Sequence, residues 1–338
     1  MPRLRRRKCS LGGAAGARFL AAASHDRWGR PQGQGMRRNL ILRGILLVGL
    51  AVAALLAGFL ATGLSPADLR RETRLALGLP KFWQTNFVDD VAAKQPVACP
   101  EGDPLVIVTG GQSHAANALG RLLPFAPSAD NVMIYGGRCY AVSNPVLGAT
   151  GVAESLWTRF GARLVAKTGR PVVFVNGAVA GSQVSDWLDE RSRYRARLVT
   201  TIREARGLGY EPDVVLWIQG ETDAAANVDP REFTEGIATL IRAIESEARM
   251  DGSAQWLLFR STFCDGLPDN GPKLEAALAG LTANPDDRLH LGPSVSRFDS
   301  SLRHDGCHLN AEGGALLIED MLEALQRIGV IADAGETR

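Results

Sequence analysis

The sequence predicts an α/β fold, a parallel sheet covered by helices on both faces. Two observations carry that expectation. From Asp103 onward short apolar runs alternate with longer helical patterns, the order of repeated strand-helix-strand units. The runs are also continuously apolar rather than alternating, as strands buried on both faces are. In order, Pro104-Leu105-Val106-Ile107-Val108-Thr109 is the first run, and a helical stretch over 151–167 follows it. Arg170-Pro171-Val172-Val173-Phe174-Val175-Asn176 is the second, followed by a helix over 191–207 with a basic outer face. Pro212-Asp213-Val214-Val215-Leu216-Trp217-Ile218 is the third, with a helix over 230–249 after it. Ala254-Gln255-Trp256-Leu257-Leu258-Phe259-Arg260 is the fourth, and a last helix spans 310–329. Ligands of such folds sit beyond the carboxyl ends of the strands.

With 46% hydrophobic and 22% charged residues in 338, the composition is that of a globular protein. Its charge is unevenly placed. Residues 1–43 hold ten Arg and one Lys against one Asp, a net of +10, so the rest of a chain whose total is +2 carries −8. No charged residue occurs from Gly44 to Leu64, and about 20 apolar residues cross a bilayer core as a helix. Arg37, Arg38 and Arg43 precede this run, whereas Ser65-Pro66-Ala67-Asp68 follow it, and basic flanks stay in the cytoplasm.

The expected organisation is therefore a basic, disordered cytoplasmic N-terminus over 1–38, a transmembrane signal anchor over 39–64, a stem over 65–100, the main domain over 101–330, and a tail over 331–338. A cleaved signal peptide competes with the anchor, but its apolar region usually has about 7–15 residues and ends at a small-residue cleavage site. Ala61-Thr62-Gly63 is a poor one. Met36 opens a conventional anchor and is a candidate start residue. The run Arg5-Arg6-Arg7-Lys8 is explained by topology, so no nucleic-acid partner is expected.

Cys9 precedes the span, leaving Cys99, Cys139, Cys264 and Cys307 outside it. An even number in an oxidising compartment permits two disulfides. The expected pairs are Cys99–Cys139 and Cys264–Cys307, the second fastening the turn that bears His308 to the end of a strand. No Cys-x-x-Cys pair occurs, so no metal or other cofactor is expected.

Four segments past the predicted strands read together as one hydrolytic site: Gly110-Gly111-Gln112-Ser113, Gly181-Ser182-Gln183-Val184-Ser185-Asp186-Trp187, Trp217-Ile218-Gln219-Gly220-Glu221-Thr222-Asp223, and Asp305-Gly306-Cys307-His308. A serine hydroxyl attacks an ester only when a base takes its proton. Ser113 is the candidate nucleophile, His308 the base, and Asp305 the acid that orients it. Charge developing on the tetrahedral intermediate needs preorganised donors, and the backbone amides of Ser113 and Gly181 with the side-chain amide of Gln219 are the natural set. Plainer roles stay open: Ser113 as a helix N-cap, Gly181 as a turn glycine, and Gln219 as a strand-end residue closing a hydrogen-bond network. Glu221 and Asp223 could form a metal or glycosidase-type carboxylate pair, but no second cluster accompanies them.

These blocks resemble the SGNH hydrolase superfamily, and within it the sialate O-acetylesterase-like carbohydrate esterases, whose first block reads Gly-Gln-Ser. The resemblance runs from about Asp103 to Gly329 and rests on Gly111-Gln112-Ser113, Gly181-Ser182 with Trp187, Trp217-x-Gln219-Gly220-Glu221-x-Asp223, and Asp305-x-x-His308. It implies a flavodoxin-like three-layer α/β/α domain, a Ser113–His308–Asp305 triad, oxyanion donors at Ser113, Gly181 and Gln219, and removal of O-acetyl groups from sugars without a metal. One departure is His114, where the family usually has Asn; with Gln112 and Glu221 it is a candidate to line the substrate pocket.

The resulting expectation is a membrane-anchored, outward-facing serine esterase acting on O-acetylated carbohydrate or envelope polysaccharide, held in a bacterial inner membrane with its domain in the periplasm. An envelope polysaccharide O-acetyltransferase would use the same triad. A non-catalytic carbohydrate-binding or scaffold protein on this fold is the third reading.

Overall fold

The computed structural model describes residues 82–120, 128–267, 270–283 and 288–332. The expected N-terminus and anchor, residues 65–81 of the stem, and residues 333–338 of the tail lie outside them. Among the described residues no helix is long and apolar enough to cross a membrane.

In chain order the elements are α1 (Phe82–Thr85), β1 (Leu105–Gly111), β2 (Asn131–Tyr135), β3 (Arg138–Ala141), α2 (Trp157–Thr168), β4 (Val172–Asn176), α3 (Val184–Leu188), α4 (Tyr194–Gly207), β5 (Val214–Gly220), α5 (Glu221–Ala225), α6 (Pro230–Ala248), β6 (Gln255–Ser261), α7 (Gly271–Thr282), β7 (Leu289–Ser294) and α8 (Ala311–Arg327). The strands form one seven-stranded sheet in the order β3-β2-β4-β1-β5-β6-β7. Every neighbouring pair is parallel except the β2–β3 hairpin.

Alternation along the central strands divides the core into two layers. Leu105 and Ile107 join Trp157 and Phe160 of α2 and Leu317, Met321 and Leu325 of α8 on one face. Val106 and Val108 join Leu198 and Ile202 of α4, Ile237 and Ile244 of α6, and Leu274 of α7 on the other. Each such side chain, fully buried, contributes about 1.5–3 kcal/mol of transfer free energy, and its direction fixes which strand positions can reach solvent at the sheet edge. The three layers match the architecture expected from the sequence.

The described part of the expected stem lies on the domain. Phe87 bridges Thr150 and Pro96 bridges Tyr140; the Val97 amide donates to Cys139 O (3.0 Å) and the Ala141 amide to Gln95 O (2.9 Å). The Cys99–Cys139 disulfide fastens this segment to β3. The physical reason is that β3 ends the sheet, and its open backbone groups need partners.

The order of strands places the site. From β1 the chain moves to one side of the sheet through β2, β3 and β4, then crosses to the other side at β5. β1 therefore lies between β4 and β5, and the carboxyl ends of these three strands border the crevice in which ligands of open α/β sheets bind.

Candidate active site

At the end of β1, Gly111 has φ +106, and a Cβ there would lie 2.0 Å from the Ile218 carbonyl oxygen. Only glycine allows that approach. The Gln112 amide then donates to the same oxygen at 2.7 Å, and the chain turns into a single 3-10 turn, Ser113–Ala115. Ser113 is its first residue; Gln112 holds the cap position, and no side chain caps the turn. The N-cap role for Ser113 is thus excluded. Its hydroxyl makes no hydrogen bond among the described residues, His308 included.

The loop after β4 is laid against the end of β1 by two backbone bonds, Gly177 N to Thr109 O (3.1 Å) and Val179 N to Gly111 O (2.9 Å). Gly181 follows with φ +68, and its carbonyl accepts from Gln84 Nε2 at 2.8 Å. Neither the Gly181 amide nor the Ser113 amide donates within the described residues, so both N–H groups remain available at this edge. Trp187, fully buried, anchors the loop: its Nε1 donates to Ser182 Oγ at 2.9 Å, and its ring meets Trp217 of β5 edge-on with centroids 4.9 Å apart.

Gln219 differs from its expected part. It lies within β5, 1% exposed, and its Nε2 donates to Ser182 O (2.7 Å) and Asp223 Oδ2 (2.7 Å). Two acceptors fix the amide orientation and take both hydrogens. The side chain thereby holds the Gly181 loop and does not present a free donor, which is the strand-end role left open in the sequence. Asp223 completes the tie by accepting from the Val184 amide at 2.9 Å. Burial pushes the Asp223 carboxyl up to about 6, against the hydrogen bonds from Gln219 and Val184.

The three expected pocket residues are almost wholly enclosed, with Gln112 at 2%, His114 at 0% and Glu221 at 3% exposure. Gln112 Oε1 accepts from the Gly220 and Thr222 amides at 3.3 and 3.2 Å, at the start of α5. His114 Nδ1 lies 2.6 Å from Glu221 Oε1, and Ser261 Oγ donates to that same oxygen at 2.6 Å. This buried His114–Glu221–Ser261 group backs the site. Glu221 and Asp223 face different partners and form no carboxylate pair.

On the loop before α8, His308 Nδ1 is 2.7 Å from Asp305 Oδ2. Asp305 Oδ1 accepts from the Cys307 and His308 amides at 3.0 and 2.7 Å. Burial alone would raise the Asp305 carboxyl, but the hydrogen bonds from the His308 ring and the two amides outweigh it, and the group ends well below the ordinary carboxylate range. The His308 ring is held below its ordinary value, first by burial and then by the neighbouring His114; Asp305 and Glu221 act in the opposite sense. The His114 and His308 ring centroids are 5.5 Å apart, which brings the base to the Ser113 turn.

Two features fix that loop. The Cys264–Cys307 disulfide joins it to the segment after β6, as expected. Arg303, 5% exposed, was not foreseen: its guanidinium donates to Val295 O at 2.8 Å, to Phe298 O at 3.0 and 3.1 Å, and to Cys307 O. Its only sequence signal is an arginine close before Asp305.

Residues 148–326 match the family model described as carbohydrate esterase, sialic acid-specific acetylesterase, a stretch that contains Gly181, Gln219, Asp305 and His308 and begins after Ser113. No curated protein matches the chain significantly. A solved protein structure from Arabidopsis thaliana aligns with a TM-score of 0.57 at 19% identity, over 67% of this chain and 99% of its own, a likeness of fold. A carbohydrate acetylesterase from Xanthomonas citri gives a TM-score of 0.46 at 16% identity, over 69% of this chain and 57% of its own. With the family model covering more than half of its length, the chain belongs to the family of carbohydrate esterases, sialic acid-specific acetylesterases.

Proposed function

We propose that the protein is a serine esterase that removes O-acetyl groups from carbohydrate through an acyl-enzyme. The observation that carries this reading is the Asp305–His308 pair, at 2.7 Å, set beside the Ser113 turn at the crevice where β1 meets β4 and β5. Ser113 Oγ attacks the acetyl carbonyl while His308 Nε2 takes its proton. Asp305 keeps the other ring nitrogen protonated, which leaves Nε2 its lone pair. The amides of Ser113 and Gly181, both without a partner among the described residues, receive the oxyanion. His308 then returns the proton to the departing sugar hydroxyl, and water, activated in the same way, releases acetate. Gln219 serves by holding the Gly181 loop.

The domain is further proposed to face outward, a reading supported by its two disulfides, which favour an oxidising compartment, and by the uncharged run from Gly44 to Leu64 after a basic start. Resistance of the chain to alkaline extraction, together with cleavage of the domain by protease added outside the inner membrane, is the expected outcome. For the reaction, the full-length chain should hydrolyse p-nitrophenyl acetate in preference to the butyrate, and Ser113→Ala should abolish turnover while keeping its fold. Turnover retained in that variant removes Ser113 from the mechanism. Folded wild-type protein that hydrolyses neither ester, yet moves acetyl to an added sugar, replaces the esterase by a transferase.

A further inference from the structure

The turn that carries the acid and the base also carries a third group with no part in that chemistry. His304 lies four residues before His308, and the two rings stack with centroids 5.9 Å apart and an interplanar angle of 24°. Asp305 Oδ2 lies between them, 2.7 Å from His308 Nδ1 and 3.8 Å from His304 Nε2. Among the described residues the only hydrogen bond of the His304 ring is a long one, 3.4 Å from Nε2 to Ala118 O. One ligand atom from each of the three residues lies within 4.8 Å of the other two.

We propose that His304, Asp305 and His308 form a binding site for a borderline divalent transition-metal ion, of which Zn²⁺ is the probe, and that the occupied site is an inhibited enzyme. Two imidazole nitrogens and one carboxylate oxygen are a characteristic ligand set for zinc with open positions. Tetrahedral bonds of about 2.0–2.2 Å need ligands roughly 3.3 Å apart: rotation of the exposed His304 side chain closes its 3.8 Å distance to Asp305 Oδ2, and the 2.7 Å contact between Asp305 Oδ2 and His308 Nδ1 opens slightly as the ion enters. The backbone is already set. The His304 amide donates to His308 O at 2.9 Å and closes the turn, Asp305 Oδ1 is fixed by two amides, and Arg303 and the Cys264–Cys307 disulfide hold the two sides. Little order has to be imposed when the ion arrives.

Inhibition follows from the tautomer and rests on the roles of Asp305 and His308 proposed above. The base needs its proton on Nδ1, toward Asp305, and a lone pair on Nε2. An ion at Nδ1 moves that proton to Nε2 with no net proton lost from the ring, and it takes the Asp305 oxygen as well. The ring can then no longer accept a proton from Ser113. The reaction itself uses no metal at this position.

The test is calorimetric titration of ZnCl₂ into the full-length chain, carrying no histidine tag and stripped with chelator, in parallel with p-nitrophenyl acetate hydrolysis over the same zinc range. Binding of one ion at this site, with loss of turnover at the same midpoint and recovery on adding EDTA, is expected; Mg²⁺ should do neither. His304→Ala should keep the zinc-free rate and raise both midpoints at least about tenfold, since losing a ligand costs no less than the roughly 10–100-fold typical of losing only a ligand's hydrogen-bond partner. Equal midpoints in wild type and His304→Ala overturn the site. Zinc bound through His304 without loss of turnover overturns the inhibition, and with it the role given to His308, while leaving the ion site standing.

Discussion

Replacing Arg303 by Met keeps a long, flexible side chain in place and removes every donor. Three carbonyl oxygens, those of Val295, Phe298 and Cys307, then lose the guanidinium. A buried acceptor left without a partner costs about 1–3 kcal/mol. The loop between Asp299 and Asp305 is largely exposed, so water can reach some of these groups, and a total of about 3–4 kcal/mol follows from the lower end of that range, little more than about 1 kcal/mol for each carbonyl. The cost can be met in two ways. If the loop stays docked it falls on the whole domain, and Tm drops by roughly 6–16 °C at about 2–4 °C per kcal/mol for a chain of this size. If the loop lifts, Tm changes little and kcat/KM falls by about two orders of magnitude, because roughly 3 kcal/mol then opposes the closed form. Thermal unfolding and ester hydrolysis measured on the same sample separate the two. Arg303→Lys, which keeps the charge but not the planar fork, should fall between wild type and Arg303→Met. Wild-type values of both Tm and kcat/KM for Arg303→Met would refute the argument that this guanidinium holds the loop.

Two further outcomes follow from the same geometry. The acid limb of kcat/KM should lie below 6.5, the unperturbed histidine value, because the base acts only when neutral and burial with the nearby His114 lowers the pKa of His308. His114→Asn removes one of the two lowering influences while Asp305 and Glu221 still raise it, so the limb should move upward in a pH-rate profile. Gly111→Ala, at φ +106 and with its Cβ 2.0 Å from Ile218 O, should destabilise the domain by about 3–5 kcal/mol in denaturant unfolding, from backbone strain and overpacking together.

How much of this was written in the sequence depended on whether the signal was local. The four continuous apolar runs became β1, β4, β5 and β6 because strands in the middle of a covered sheet need apolar residues on both faces. β7, at the sheet edge, reads Leu-His-Leu-Gly-Pro-Ser; an edge strand tolerates Pro and Gly, so its pattern gave no warning. The β2–β3 hairpin turns at Gly136-Gly137, a turn signal that is weak between two runs as short as these. In the site, Ser113, Gly181, Asp305 and His308 were legible from their offsets to strands and to one another. The His114–Glu221 contact joins residues 107 apart, and no spacing encodes it. The Gln219 side chain suits a donor's task, which is all its position in the sequence conveys; that both its hydrogens are taken depends on Ser182 and Asp223, which only the fold brings together. His304 stood four residues from His308 in plain sight, but the turn that stacks their rings could not be inferred from spacing.

The clasp between the incoming segment and β3 has a mechanical consequence. Tension applied to the chain from its N-terminal side would first peel away the hydrogen bonds around Phe87 and Val97, one after another. It then meets the covalent link at Cys99, which delivers the load to the middle of β3 at Cys139 rather than to the end of β1. The hairpin would be pulled as a unit while β1, the strand that leads into Ser113, stays slack. Reducing that one bond would redirect the same tension down the chain to β1.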